Sequence, residues 1–126
     1  GGPTGGEPAE TQTAALPPPN QVLPDPLRLS FEGTEAALSP QAQKDLATLA
    51  GRLETNPDAR IEIRAFATPT DDTGSAARRL SLKRALAVRG FLADRGVRST
   101  RMDVRALGGD TDRMPRDRVD IVAAEK

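Results

Sequence analysis

From residue 27 onward the chain switches between two hydrophobic periods, 2.0 for strands and 3.6 for helices, and the switches mark out its elements. Leu27-Arg28-Leu29-Ser30-Phe31 alternates apolar and polar positions, the pattern of a half-buried strand, and Gly33 interrupts it. Ser39-Pro40 predicts a helix start, an N-cap hydroxyl followed by a proline whose missing N–H has no intrahelical partner to lose. Behind it Ala42, Leu46, Leu49, Ala50 and Leu53 recur at spacings of three and four, in a helix that ends before Asn56-Pro57. A second strand spans 61–67, with its Ile and Ala positions facing one way. The polar run 68–75 reads as a loop in which Ser75 or a nearby Thr caps a long second helix. That helix runs to about Arg95 and stops at Gly96, a residue suited to a left-handed C-terminal turn. Strands three and four follow at 102–107 and, beyond Gly108-Gly109 and a charged loop, at 118–122.

Strand, helix, strand, helix, strand, strand is the order of an α+β two-layer sandwich. Helical crossovers make part of the sheet parallel, while the last connection, lacking a helix, turns the fourth strand antiparallel. Both helices then cover one face of a four-stranded mixed sheet. Within the second helix Leu80, Arg84, Ala87, Val88 and Phe91 share a face at about 100° per residue, which puts a guanidinium in the middle of an apolar stripe. A group with five donors and a permanent charge either finds a carboxylate, carbonyls or an anionic ligand there, or lays its stem on apolar surface and sends its head to water.

The first 26 residues change the picture of the chain's extent. Pro17-Pro18-Pro19 and Pro24-Asp25-Pro26 sit among Gly, Thr, Glu, Gln and Ala, the composition of an extended, disordered linker. Residues 27–126 form the domain. Gly1-Gly2 reads as an added leader, and the linker as a tether from an upstream anchor. No apolar run approaches the length of a membrane-spanning helix.

Charge and chemistry narrow the function. Lys plus Arg and Asp plus Glu both number 18, and three Phe are the whole aromatic content, which argues against a nucleic-acid binder. There is no Cys and no His, so thiol chemistry and the commonest general base and metal ligand are absent. Ser81 and Lys83, two apart on a helix, do not face one another, and no catalytic constellation, metal site or cofactor motif emerges. The chain reads as a non-enzyme.

Leu80-Ser81, Arg84-Ala85 and Val88 resemble the second-helix signature Asn-x-x-Leu-Ser-x-x-Arg-Ala-x-x-Val of OmpA-like C-terminal domains, the OmpA, Pal and MotB type. Phe91 to Val97 is similar to that family's helix exit, and Arg118-Val119-Asp120-Ile121 to its last strand. Phe31, Leu38-Ser39-Pro40 and Ile61-Glu62-Ile63 fall where members have equivalent elements. The resemblance implies a βαβαββ fold and noncovalent binding of the peptidoglycan stem peptide. An Asp after the second strand and the second-helix Arg would grip the charged ends of diaminopimelate. Such a module anchors a cell-envelope protein of a Gram-negative bacterium to the wall, in the periplasm, tethered to the inner or outer membrane.

Carried over residue by residue, Arg84 holds a ligand carboxylate. Thr68 stands in the Asp place, Asp71 and Asp72 follow in a loop one residue longer, and these receive the ammonium. Arg118 completes the candidate set. Ala77 replaces the signature Asn, and Asp117 replaces the first Arg of the family's Asn-Arg-Arg-Val. Asp117 therefore offers Arg84 or Arg118 an internal partner, and Asp71 and Asp72 would equally complement a helix N-terminus. The alternative function is a degenerate domain that has lost peptidoglycan binding and serves as a protein–protein module in an envelope complex. Leu82 and Leu86, one turn apart on the far side of the second helix, are its candidate contact for an envelope protein partner.

Overall fold

The computed structural model describes residues 23, 25–70, 72–110 and 115–124. Most of the expected 1–26 linker lies outside the described residues, and so does Asp71. The elements follow the expected order: β1 (Leu27–Ser30), α1 (Pro40–Thr55), β2 (Ile61–Phe66), α2 (Ser75–Asp94), a 3₁₀ turn (Ser99–Arg101), β3 (Met102–Gly108) and β4 (Arg118–Ala123). The caps are those the residues favour. Ser39 Oγ accepts from Ala42 N at 3.0 Å ahead of Pro40, and Gly96 leaves α2 at φ +95°. At the start of α2 the N-cap is Gly74, and the Thr73 hydroxyl accepts from Ser75 N at 3.2 Å.

The sheet order is β1-β4-β2-β3. β2 and β3, joined through α2, are parallel neighbours. β4 runs antiparallel to both β1 and β2 and lies between them. The last strand is therefore central, closing the gap that the β1-α1-β2 crossover leaves.

Both helices pack on one sheet face. Leu46, Leu49 and Leu53 of α1 and Ala85, Val88 and Leu92 of α2 meet Leu29, Ile61, Ile63, Ala65, Val119 and Ile121 from the strands. The alternate strand positions carry charge, including Glu62, Arg64 and Asp120, and pair among themselves: Arg64 with Glu62 at 2.7 Å, Arg28 with Asp120 at 3.3 Å.

α2 is rotated from the stripe its large apolar residues suggest. The fully buried line is Ala77, Ser81, Arg84, Ala85, Val88 and Leu92, while Leu80, Ala87 and Phe91 sit half-buried at its border. Small residues let the first turns of the helix approach the end of β3. There Ser81 Oγ donates to Arg78 O at 2.8 Å and accepts from Gly108 N at 3.1 Å.

Gly108 is required at this contact: its φ is +56°, and a Cβ on it would lie 3.2 Å from Arg78 N. Gly108→Ala should destabilise the domain by about 1–2 kcal/mol from the backbone conformation alone, before crowding against α2 is added, as read by urea unfolding.

Candidate functional site

β4 is antiparallel to β1 and β2, so its start lies beside their ends. Three chain segments consequently meet at one edge of the sheet: the β1–α1 loop, the residues after β2, and the residues leading into β4. Arg84 reaches this meeting point from α2 and is wholly buried, 0% exposed. Its Nε donates to Glu35 O at 2.7 Å, and one Nη donates to Gly33 O at 2.9 Å. The other Nη donates to Phe66 O at 3.0 Å and to Asp117 Oδ1 at 2.8 Å. The Phe31 ring lies 5.0 Å from the guanidinium carbon, adding a cation–π contact.

Asp117 ties this knot to the end of β2. Its Oδ1 also accepts from Thr68 N at 3.1 Å, its Oδ2 accepts from Thr68 Oγ1 at 2.9 Å, and its carbonyl accepts from Phe31 N at 2.9 Å. Partial burial pushes the Asp117 carboxyl up, but the hydrogen bonds from Arg84 and from the Thr68 amide and hydroxyl, with the adjacent guanidinium charge, outweigh it. The net effect holds Asp117 below the ordinary aspartate value. The side chain nevertheless keeps 24% of its surface exposed.

The expected site residues are distributed as follows. Arg84 and Thr68 come together through Asp117, with Arg84 on the inside and Thr68 on the surface. Arg118 is buried with its guanidinium 4.3 Å from the Phe66 ring centroid, donating to Asp120 Oδ2 at 2.9 Å and Pro115 O at 2.7 Å. Of the two internal partners open to Asp117, it takes Arg84, since Asp120 two residues along the strand already answers Arg118. Asp72 is exposed in the loop before α2. Leu82 and Leu86 stand 42% and 40% exposed on the outer face of α2. Carbonyls were among the partners open to Arg84, but sequence reasoning did not identify those of Gly33, Glu35 and Phe66, nor the burial of Ser81. Gly33, at φ +55°, shapes the turn that aims two of those carbonyls inward, and its interruption of the apolar run was the visible signal.

Beside Thr68 a groove of about 250 Å³ runs along the first turns of α2. Thr34, Thr68 and Thr70 line it on one side, Arg79 and Lys83 supply its charge, and Ala76, Ala77 and Leu80 its apolar surface. Among the described residues no cluster of His, Cys, Asp or Glu could hold a metal ion, and no helix is long and apolar enough to cross a membrane.

The OmpA family model matches residues 30–125, from the end of β1 to beyond β4. The chain belongs to the OmpA family. Solved structures share the fold. The peptidoglycan-associated lipoprotein from Burkholderia pseudomallei is similar at 26% identity and TM-score 0.69, over 82% of this chain and 94% of that one. The OmpA-like domain of FopA1 from Francisella tularensis is similar at 18% identity and TM-score 0.70, over 76% and 69%. The C-terminal domain of Helicobacter pylori MotB is similar at 20% identity and TM-score 0.65, over 81% and 85%. No match is found among the curated proteins. The comparisons indicate no catalytic family.

In this OmpA-like domain Arg84 ties Asp117 to the carbonyls of Gly33, Glu35 and Phe66. Arg84→Met leaves Asp117 without its cation and three carbonyls without a donor, so it should cost about 3–5 kcal/mol in urea unfolding. The pH dependence has a definite sign. A carboxyl whose folded value is lowered stabilises the fold fully above its unfolded value, here 3.8, and loses that contribution as pH falls through the lowered folded value. The stability gap between the wild type and Asp117→Asn should therefore be constant near neutral pH and narrow only below pH 3.8. A gap that closes between pH 7 and 5 would exclude this assignment.

Proposed function

We infer that the domain binds peptidoglycan noncovalently through its stem peptide, and so anchors a cell-envelope protein to the wall from the periplasm. The carrying observation is the placement of Asp117. The resemblance calls for a carboxylate after the second strand to receive the ammonium of diaminopimelate, and position 68 is a threonine. The Asp117 carboxylate comes in from the β4 side and bonds both the amide and the hydroxyl of Thr68. A carboxylate is thus present at the end of β2 although no acidic residue stands at position 68.

This reassigns the roles within the site. With four of its five donors already engaged, Arg84 aims and charges Asp117 rather than meeting the ligand. The ammonium goes to Asp117 and the Thr68 hydroxyl, and Asp72, with Asp71 beside it in sequence, adds negative charge on the loop side. Closure of Arg84 on Asp117 would favour a non-binding scaffold if it sealed the carboxylate. It does not, because the side chain stays partly exposed and Thr68 opens on the groove. Similarity to a peptidoglycan-associated lipoprotein and to periplasmic MotB domains supports the same reading, with an upstream segment as the membrane tether.

Titrating the ¹⁵N-labelled domain with a diaminopimelate-containing muropeptide should move the amides of Thr34, Thr68 and Asp117. Asp117→Asn, checked for an intact fold by its spectrum, should weaken binding about tenfold or more, the loss of one charge-assisted hydrogen bond. Amides that stay still at millimolar muropeptide would refute the reading.

A further inference from the structure

The cations at this end of the molecule fall into two classes. Arg84 and Arg118 are buried and answered by Asp117 and Asp120. Arg79 and Lys83 are exposed, line the groove, and have no hydrogen-bond or ion-pair partner among the described residues. They lie four residues apart on one face of α2, about 6 Å along its axis, so one carboxylate can bridge their two heads. Among the described residues that line the groove, Arg79 and Lys83 are the charged ones. Ala76, Ala77 and Leu80 add apolar surface to the same groove.

From this arrangement we propose that Arg79 and Lys83 bind the free terminal carboxylate of the stem peptide. The assignment rests on the stem-peptide reading above. It moves carboxylate recognition from Arg84, which Asp117 has taken, to two cations further along the exposed side of the same helix. Thr68 stands at the junction, lining the groove and bonding Asp117, so the ligand's ammonium and terminal carboxylate are received at different places and its direction is set. Thr34, Thr68 and Thr70 offer hydroxyls that donate to or accept from the intervening peptide units.

The test compares two probes, the tetrapeptide L-Ala-γ-D-Glu-meso-diaminopimelate-D-Ala and the same peptide with its terminal alanine amidated, titrated against the full chain by calorimetry or NMR. The wild type should prefer the free acid about fivefold, a modest ratio because both cations are solvated. The double variant Arg79→Gln/Lys83→Gln should lose that preference, and a double variant that keeps it would overturn the inference. Arg89→Gln/Arg98→Gln removes two charges away from the groove and should keep it. Equal binding of both probes by the wild type would overturn the inference while leaving stem-peptide binding intact. Loss of the preference in the Arg89/Arg98 variant would also overturn it, since bulk charge would then suffice. If the wild type binds neither probe at millimolar concentration, the stem-peptide reading falls and takes this inference with it.

Discussion

A guanidinium that cannot be neutralised and has no access to water must be fully answered by the protein, and Arg84 imposes that demand on three loops at once. Burying such a charge costs several kcal/mol even after relaxation, so the arrangement persists only with good geometry on every side. Gly33 and Glu35 turn their carbonyls inward, Phe66 ends its strand with a carbonyl toward α2, and Asp117 brings the countercharge. None of these groups is held there by a helix or sheet ladder alone. One side chain does for the irregular end of the domain what the apolar core does for its regular part.

Much of the regular part is legible from local rules. Ser39-Pro40, Gly96 and the alternation at Ile61 to Ala65 act within a few residues of the bonds they determine, and the elements appear where those rules put them. Placement in space is less legible. That the final strand runs antiparallel follows from its short connection, but its insertion between β1 and β2 depends on long-range pairing that no local pattern encodes. The rotation of α2 is a second such case. Large apolar residues dominate a reading of the helix, yet the line that faces the sheet is built from Ala77, Ser81 and Ala85, because close approach at Gly108 favours small side chains over apolar ones.

In the candidate site the anomaly was visible and its resolution only partly so. An arginine inside an apolar stripe signals a partner, and Asp117 was one of the acids open to that role. Choosing between Arg84 and Arg118 as its mate requires knowing that Arg118 and Asp120, two apart on one strand, already satisfy each other. Three of Arg84's acceptors are main-chain carbonyls, which every residue carries and no sequence distinguishes. The groove is illegible for a related reason, since Thr34 and Lys83 become neighbours only through the fold.

The pairing of charges also separates what supports this end of the domain from what is left to meet a ligand. A cation with a buried internal carboxylate offers little to a dissolved one, because the newcomer must displace an acceptor already aligned in a low dielectric. An exposed cation with no internal partner pays no such penalty, though its gain is reduced by solvent. With Thr68 after the second strand and the carboxylate supplied by Asp117, Arg84 falls in the first class. On the stem-peptide reading, the positive charge a zwitterionic ligand needs then comes from Arg79 and Lys83, in the second and third turns of α2. Both signs of charge thus stand around Thr68, Asp117 bonded to it and Arg79 and Lys83 in the groove that it lines.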